Sequence, residues 1–318
     1  MSKKKSRNKN LIFKIGLMVI LILFTKPAKT ENIKDLIKQY IKNSISNTTS
    51  INLLKKIFTY NDNEILNAIE PYINDTLVAV RSSAIFLVYK TGLKSDNEKT
   101  IQQSIKILTE KLDDKDAGIV KMAIEYLKEF KYEYFTPEIK YIISQKAQVR
   151  TFHYYDLILL TGYLQIKDLI YNYKKMVEDK KYSMRDRWAM TLAMARMGDH
   201  ESIEKVMNRV KRLPINDDVV TEIYPDLVYI RTKEAFNWLF NIIMSDDKNC
   251  LSSNPDNEQS IICGYRVIEL IGKYIEGFPV DIDENGELVI ENYGQTIKDV
   301  RVWIRDNIYD YNLKGNIY

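Results

Sequence analysis

A run of six residues that begins at Asp281 has the spacing of a calcium-binding loop. Oxygen ligands stand at alternate positions, Asp281, Asp283 and Asn285, and Gly286 follows where an EF-hand loop turns sharply. The twelfth position of such a loop is a bidentate glutamate, but here it is Asn292. Alternating apolar residues around an Asn-Gly turn are also typical of a β-hairpin. We therefore predict a hairpin here and keep a calcium site as the alternative.

The only two cysteines, Cys250 and Cys263, flank a polar stretch. In an oxidising compartment such a pair can form a disulfide, which would stabilise the fold by about 3 kcal/mol in the chain-entropy description. The alternative is that Cys263, which lies in an apolar run, is a small buried core residue. We predict the disulfide.

The sequence lacks the common catalytic and metal-binding motifs. Its two histidines, His153 and His200, are 47 residues apart, which excludes a zinc helix with two histidines one turn apart. There is no phosphate-binding glycine loop and no nucleophile elbow. We predict no catalytic residue and no cofactor. A site built from paired carboxylates with perturbed pKa values would escape this search, so an enzyme or an enzyme accessory stays an alternative.

The first thirty residues have the order of a secretory signal peptide. A basic leader precedes an apolar stretch from Leu11 to Phe24, and its 14 residues are fewer than the roughly 20 needed to cross a bilayer. Ala28 and Thr30 make an imperfect cleavage site. We predict that residues 1–30 are cleaved and that the protein is exported to the periplasm or outside the cell. An uncleaved membrane anchor is the alternative.

Loss of these thirty residues would reverse the sign of the net charge. They contain eight of the 47 basic residues and no acidic one, which leaves 39 basic against 43 acidic residues, a formal charge of −4. Nucleic-acid binding depends mainly on neutralising phosphates, so a mildly acidic body argues against it.

Amphipathic helical segments recur from residue 31 onward, and several begin with a basic residue. These residues are Arg81, Lys121, Arg150 and Arg187. They are separated by 40, 29 and 37 residues, which is the range of helical-repeat periods. Glycines follow three of them at eleven or twelve residues, where a left-handed turn would end a helix. These glycines are Gly92, Gly162 and Gly198.

This pattern resembles the HEAT-like repeat proteins, including the short repeats of the phycobilisome-lyase-like kind. The matching features are Asp75 before Val80-Arg81, and Asp114 with Asp116 before Val120-Lys121. The resemblance implies an aspartate–arginine ladder between successive repeats. It also implies an all-α, right-handed α-solenoid of helical hairpins over residues 31–276. A small β-hairpin and a capping helix, residues 277–318, would close its end.

Basic residues recur on the second helices of the predicted pairs, which line the concave surface in HEAT-like solenoids. They are Lys174, Lys175, Lys205, Arg209 and Arg212. They form either a partner-binding groove or an ordinary solvated helix face. We predict a non-enzymatic, exported scaffold or adaptor that binds another protein through this surface. The alternatives are a lyase-like enzyme or accessory with a carboxylate-only site, and an envelope assembly factor tethered to the membrane by the retained leader.

Overall fold

The computed structural model describes residues 32–46, 48, 51–252, 259–283 and 288–318, and it is mostly helical, as expected. Two pairs of short strands accompany the helices. The helices are α1 (Ile33–Ile45), α2 (Ile51–Ile57), α3 (Asp62–Ile69), α4 (Val78–Lys94), α5 (Glu98–Glu110), α6 (Ala117–Lys128), α7 (Pro137–Lys146), α8 (Tyr154–Tyr163), α9 (Ile170–Glu178), α10 (Met184–Arg196), α11 (His200–Val210), α12 (Asp217–Glu222), α13 (Tyr224–Ile230), α14 (Lys233–Met244), α15 (Gly264–Ile271) and α16 (Tyr293–Asn307). The strands are β1 (Cys250–Leu251), β2 (Ser260–Ile261), β3 (Asp281–Ile282) and β4 (Leu288–Val289).

Polar capping residues determine where many of these helices begin. The side chains of Asp116, Ser183 and Asp199 each accept a hydrogen bond from the backbone N–H of the third helical residue, at 3.1 Å in all three cases. A cap of this kind stabilises a helix by about 1 kcal/mol because it satisfies a backbone donor that has no partner inside the helix. The caps therefore divide a chain with few prolines and glycines into short helices.

Helices α4, α6, α8, α10, α13 and α15 form a series in which each contacts the next. Helix α4 contacts α6, α6 contacts α8, α8 contacts α10, α10 contacts α13, and α13 contacts α15. The intervening helices pack beside this series, α5 against α4 and α6, and α11 against α10 and α13. Among the described residues, the buried apolar side chains form one cluster that extends from Ile33 to Tyr311. The helices thus share one elongated core.

Two of the glycines expected to end helices instead allow close packing. Gly198 has the expected left-handed φ of +94°, but Gly92 and Gly162 lie inside helices. A Cβ on Gly162 would lie 2.8 Å from the Ala193 Cα and 2.2 Å from the Tyr229 hydroxyl oxygen. Only glycine permits this contact between α8 and α10. The predicted turns at Gly92 and Gly162 are therefore wrong.

Arg81 links the start of α4 to the loop before α6. Its Nε and Nη2 donate to the two carboxylate oxygens of Asp114, each at 2.8 Å, and its Nη1 donates to the carbonyls of Asp75 and Thr76. Arg81 is 3% exposed, so this bidentate pair is shielded from water. Lys121, which the sequence places in the equivalent position, is exposed. Arg81 and Lys121 therefore occupy equivalent places in the sequence pattern but differ in burial.

The C-terminal region contains the two strand pairs. Cys250 on β1 and Cys263, just after β2, are bonded and buried, in line with the predicted disulfide. Strands β3 and β4 pair antiparallel, with Ile282 opposite Leu288, and α16 follows them. Residues 284–287, which contain the predicted turn, lie outside the described residues.

Residues 311–318, called the return segment here, run back along the ends of earlier helices. Leu313 forms an antiparallel bridge with Ile275, and the Lys314 N–H donates to the Tyr274 carbonyl at 2.9 Å. The Arg196 Nη2 donates to the Ile317 carbonyl at 3.0 Å, at the end of α10. The return segment therefore contacts elements more than 100 residues earlier in the chain.

Candidate functional site

The predicted basic residues do not all lie together. Lys174 on α9 pairs with Asp199 at 2.8 Å and with Glu201 at 3.1 Å. Lys175 lies over the ring of its own neighbour Tyr171, 4.1 Å from the ring centre. Arg212 is exposed in the turn after α11. These three residues therefore do not share one site, and their role in binding a partner stays a prediction.

Lys205 and Arg209 do share a groove, which we call the Trp188 groove. It has a volume of about 260 Å³ and lies between α9, α10 and α11. Its lining residues are Val177, Glu178, Met184, Arg187, Trp188, Thr191, Lys205 and Arg209. Three of them are basic and one is acidic, so the groove is cationic.

An indole ring forms the centre of this groove. The Arg209 guanidinium lies 4.2 Å from the centre of the Trp188 ring, in cation–π contact. Met184 is 80% exposed beside it. The Arg187 Nε is shielded from water and has no hydrogen-bond partner among the described residues. Trp188 is half-buried, packs against the core and also lines the groove.

The Trp188 indole donates a hydrogen bond to a half-buried carboxyl group on α13. Its Nε1 donates to Asp226 Oδ2 at 2.7 Å. Burial raises the pKa of Asp226 to about 6, against the opposing effects of this hydrogen bond and of the Arg209 charge. Asp226 therefore changes its charge close to neutral pH.

Asp226 also lines a second space, which we call the tyrosine cavity. It has a volume of about 240 Å³ and is bounded by α8, α10, α13, α15 and the return segment. Its walls are Tyr155, Leu159, Leu192, Pro225, Asp226, Val228, Tyr229, Arg231, Leu270, Tyr274 and Tyr318. Asp226 is the only acidic side chain among these described walls, so no two acidic side chains meet in this cavity.

Two arginines contact the return segment, and one of them, Arg231, also lines this cavity. Arg196 donates from Nη1 to the Tyr229 carbonyl at 2.9 Å, and its guanidinium lies 4.8 Å from the centre of the Tyr229 ring. Arg231 donates from Nη2 to the Tyr318 carbonyl at 3.2 Å and stacks 3.8 Å from the centre of the Tyr274 ring. Burial lowers the pKa of both guanidinium groups, and the charge of Arg196 helps to lower that of Arg231 to about 9.

The sequence reading missed this cluster because its members are far apart along the chain. Tyr163, Arg196, Tyr229 and Tyr318 meet only after folding. The one signal in the sequence was the high number of tyrosines, 22 in the chain. Composition alone does not show whether that number reflects function or genome bias.

The remaining site predictions concern histidine and calcium. His200 is the first residue of α11, and His153 has a left-handed φ of 50° just before α8. Asp281 lies on β3, and Asn285 lies outside the described residues. No group of three histidine, cysteine or acidic residues that could hold a metal occurs in the part of the chain that the structure describes. The calcium site stays a prediction.

No protein-family model, curated protein or solved structure matches this chain. The predicted leader, residues 1–30, lies outside the described residues. Within the described ranges, none of the helices has both the length and the apolar character that crossing a membrane requires.

Proposed function

We propose that this chain is an exported, non-enzymatic scaffold or adaptor that binds a protein partner through the Trp188 groove. The observation that carries the proposal is the composition of that groove. An indole face, the exposed Met184 thioether and three cationic side chains converge in one place. Aromatic residues, methionine and arginine are the residue types enriched at protein interfaces.

The proposed partner presents an acidic segment with an apolar anchor. Arg187, Lys205 and Arg209 face the single acidic lining residue Glu178, so charge complementarity favours a partner carboxylate. Carboxylates accept two parallel hydrogen bonds from a guanidinium group, and the guanidinium group of Arg209 is on an exposed residue of the groove. An apolar partner side chain would pack on Trp188 and Met184.

The proposed architecture is a right-handed α-solenoid of HEAT-like pairs over residues 31–276, with residues 277–318 as its cap. The series of contacts between alternate helices supports it. Links between successive basic segments support it as well. The Arg81–Asp114 pair is one, and Arg150 lies 3.7 Å from Asp186 in a looser second one. Stacked pairs would leave an extended surface for a partner.

Export is proposed from two features. The first is the basic and apolar leader within residues 1–30. The second is the bond between Cys250 and Cys263, because structural disulfides persist mainly in oxidising compartments. If the leader is retained, the same scaffold would be tethered to the membrane.

A capture experiment with matched charge reversals tests the partner-binding proposal. The chain from residue 31 onward would be immobilised and exposed to native envelope extract. The groove variant carries Lys205→Glu and Arg209→Glu, and the control carries Lys175→Glu and Arg212→Glu, which make the same charge change outside the groove. Circular dichroism and thermal unfolding would show that all three proteins are folded.

We expect a protein that is retained by the wild type and by the control but lost by the groove variant. Its retention should weaken as salt is raised from 50 to 300 mM, because the contact is cationic. Equal retention by all three proteins would reject the groove as the binding surface. If no protein is retained by the wild type, the scaffold proposal fails.

A further inference from the structure

We propose that a groove at the end of α6 binds a ligand that carries a phosphate group, with Lys131, Lys273 and Lys314 as its anion-binding residues. This groove, called the lysine groove here, has a volume of about 590 Å³. It lies between the end of α6, the turn after α15 and the return segment. It shares no wall residue with the Trp188 groove, so the inference does not depend on the proposed scaffold function.

Contacts of Tyr163 bring two parts of the lysine groove together. The Tyr163 hydroxyl oxygen lies 2.8 Å from the Phe130 carbonyl oxygen, next to Lys131. The same hydroxyl oxygen lies 2.9 Å from the Asn316 carbonyl oxygen, close to Lys314 in the return segment. The backbone segments that carry these two lysines are therefore joined through one hydroxyl group.

The third lysine comes from the turn after α15. The Lys314 N–H donates to the Tyr274 carbonyl at 2.9 Å, which holds the return segment against this turn. Lys273 directly precedes Tyr274 and lies over its ring, with Nζ 5.2 Å from the ring centre. Three segments that are distant in the sequence thus each supply one lysine to the same groove.

The walls of the lysine groove carry more positive than negative charge. A fourth lysine, Lys128, is paired with Glu125 at 3.1 Å and with Asp156 at 3.3 Å. In the part of the chain that the structure describes, the other three lysines take part in no ion pair. Glu129 is the one remaining acidic side chain among the described walls. Three cations therefore face one carboxylate, which favours an anionic ligand.

The type of cation favours phosphate over carboxylate. The described walls contain lysine but no arginine, and it is the planar arginine fork that matches a carboxylate in two parallel hydrogen bonds. The lysine ammonium group is a compact point charge with three N–H donors, and it commonly binds phosphate. Lys131 and Lys273 are exposed, so a ligand can reach both. A phosphate group has three strong acceptor oxygens, which can accept from several ammonium groups at once.

The volume of the lysine groove indicates a ligand larger than a phosphate ion. Its 590 Å³ lies within the range of about 300–1,000 Å³ that small-molecule sites occupy. Tyr163, Tyr274 and Tyr318 form part of the wall and offer apolar ring surface to the rest of the ligand. Two sources share this chemistry, namely a soluble phosphorylated molecule and the headgroup of a phospholipid.

The first test is calorimetric titration with phenyl phosphate, using phenylmalonate as the matched dicarboxylate. Both ligands carry one ring and two negative charges at pH 8, so they differ mainly in the acidic group. The protein is the chain from residue 31 onward, which contains every described residue. We expect saturable binding of phenyl phosphate with a Kd below about 1 mM, and at least tenfold weaker binding of phenylmalonate. Because both ligands are compared on one protein, this part of the test does not depend on the folding of a variant.

Lysine variants locate the site. The lysine-groove variant carries Lys131→Gln and Lys273→Gln, and it should bind phenyl phosphate at least tenfold more weakly. The control carries Lys34→Gln and Lys38→Gln, at two exposed positions of α1 that are not walls of the groove. Its charge change is the same, so its affinity should change less than twofold. Circular dichroism and thermal unfolding would show that all three proteins are folded.

Vesicle sedimentation distinguishes the two sources of the phosphate group. Vesicles of phosphatidylcholine would be compared with vesicles in which one lipid in five is phosphatidic acid, whose headgroup is a phosphate monoester. Sedimentation with the acidic vesicles that the lysine-groove variant loses would assign the site to a lipid headgroup. Binding of phenyl phosphate without such sedimentation would assign it to a soluble ligand. No saturation by phenyl phosphate at 10 mM, equal affinity for phenylmalonate, or unchanged affinity in the lysine-groove variant would each overturn the proposal.

Discussion

Asp226 connects the two candidate sites through a single side chain. Its Oδ2 accepts the indole N–H of Trp188, whose ring lies in the Trp188 groove, and its carboxyl group is part of the tyrosine cavity. The ionisation of Asp226 therefore affects both the position of the indole ring and the polarity of the cavity.

Replacing Asp226 with asparagine should stabilise the protein at pH 8 but not at pH 4. The pKa of Asp226 is about 6 in the folded chain, against about 3.9 in an unfolded one. The folded state thus binds the extra proton between these values, so stability falls as pH rises from about 4 to 6 and stays lower above that. Asparagine is neutral throughout and can still accept from Trp188.

Urea unfolding at the two pH values measures this difference. We expect the Asp226→Asn variant to gain roughly 1–2 kcal/mol at pH 8, a value discounted from the full shift because the side chain is partly exposed. The control Asp168→Asn, at an exposed position, should change the free energy of unfolding by less than about 0.5 kcal/mol at either pH. A loss of stability at pH 8, or an equal gain at both pH values, would contradict the expected effect.

At the scale of helices, Arg81 and Asp114 hold two neighbours of the series in register. The bidentate contact joins the first turn of α4 to the loop that leads into α6. Burial would raise the pKa of Asp114, but hydrogen bonds from Arg81 and from the Asp116 N–H, together with nearby positive charges, lower it overall. The pair therefore contributes stability at neutral pH that is lost as pH falls through this lowered pKa.

Arg81→Ala should destabilise the protein by about 3 kcal/mol at pH 7, because it leaves a shielded carboxylate without its main partner. Lys121→Ala is the matched control, since the sequence pattern equates Lys121 with Arg81 but the structure exposes it. That control should change the free energy of unfolding by less than about 0.5 kcal/mol. The difference between Arg81→Ala and the wild type should shrink below pH 4, and denaturant curves at both pH values would show it. Similar losses of stability in both variants would mean that the Arg81–Asp114 ion pair contributes no more to stability than the exposed Lys121 does.

Local sequence signals predicted the helical class, and three of the four recurring basic residues, Arg81, Lys121 and Arg187, do lie close to the start of a helix. These signals failed at positions where tertiary packing determines the local structure. The pattern placed a helix start at Val149-Arg150, but Val149 is 68% exposed and α8 begins only at Tyr154, after the left-handed His153. Gly162 was read as a turn residue, whereas contact with α10 requires it. The spacing of residues along the sequence carries no information about such tertiary contacts.

At the scale of the whole molecule, the return segment joins parts of the fold that the sequence reading treated separately. The sequence-based prediction placed a capping helix at the end of the fold. It did not predict that the following residues would run back along the ends of α8, α10 and α13. The tyrosine cavity was missed for the same reason, because Tyr318 is one of its walls. Contacts between residues so distant in sequence produce no repeat period and no motif, so they could not be predicted from the sequence.

Tyr318→Ala should lower the free energy of unfolding by roughly 2–3 kcal/mol. The Tyr318 ring meets Tyr163 and Tyr229 at centre distances of 5.5 and 5.9 Å, and Lys128 lies 4.8 Å from its centre. Removing the ring costs its apolar burial and these aromatic contacts. Tyr309→Ala is the control, since Tyr309 is 94% exposed and should be neutral within about 0.5 kcal/mol. Thermal unfolding of both variants measures the effect, and equal midpoints would show that the return segment is only loosely attached.

The return segment also bears on the order in which this molecule folds. Neighbouring helices bring together residues that are close in sequence, which is the fast kind of contact to form. The contacts of Asn316, Ile317 and Tyr318 instead span 153, 121 and 87 residues. Closing the loops between these residues costs more conformational entropy, although this cost grows only slowly with loop length, and the contacts cannot form until the ends of α8, α10 and α13 exist. We therefore expect the helical series to assemble first and the return segment, which contacts Arg196 and Arg231, to attach last.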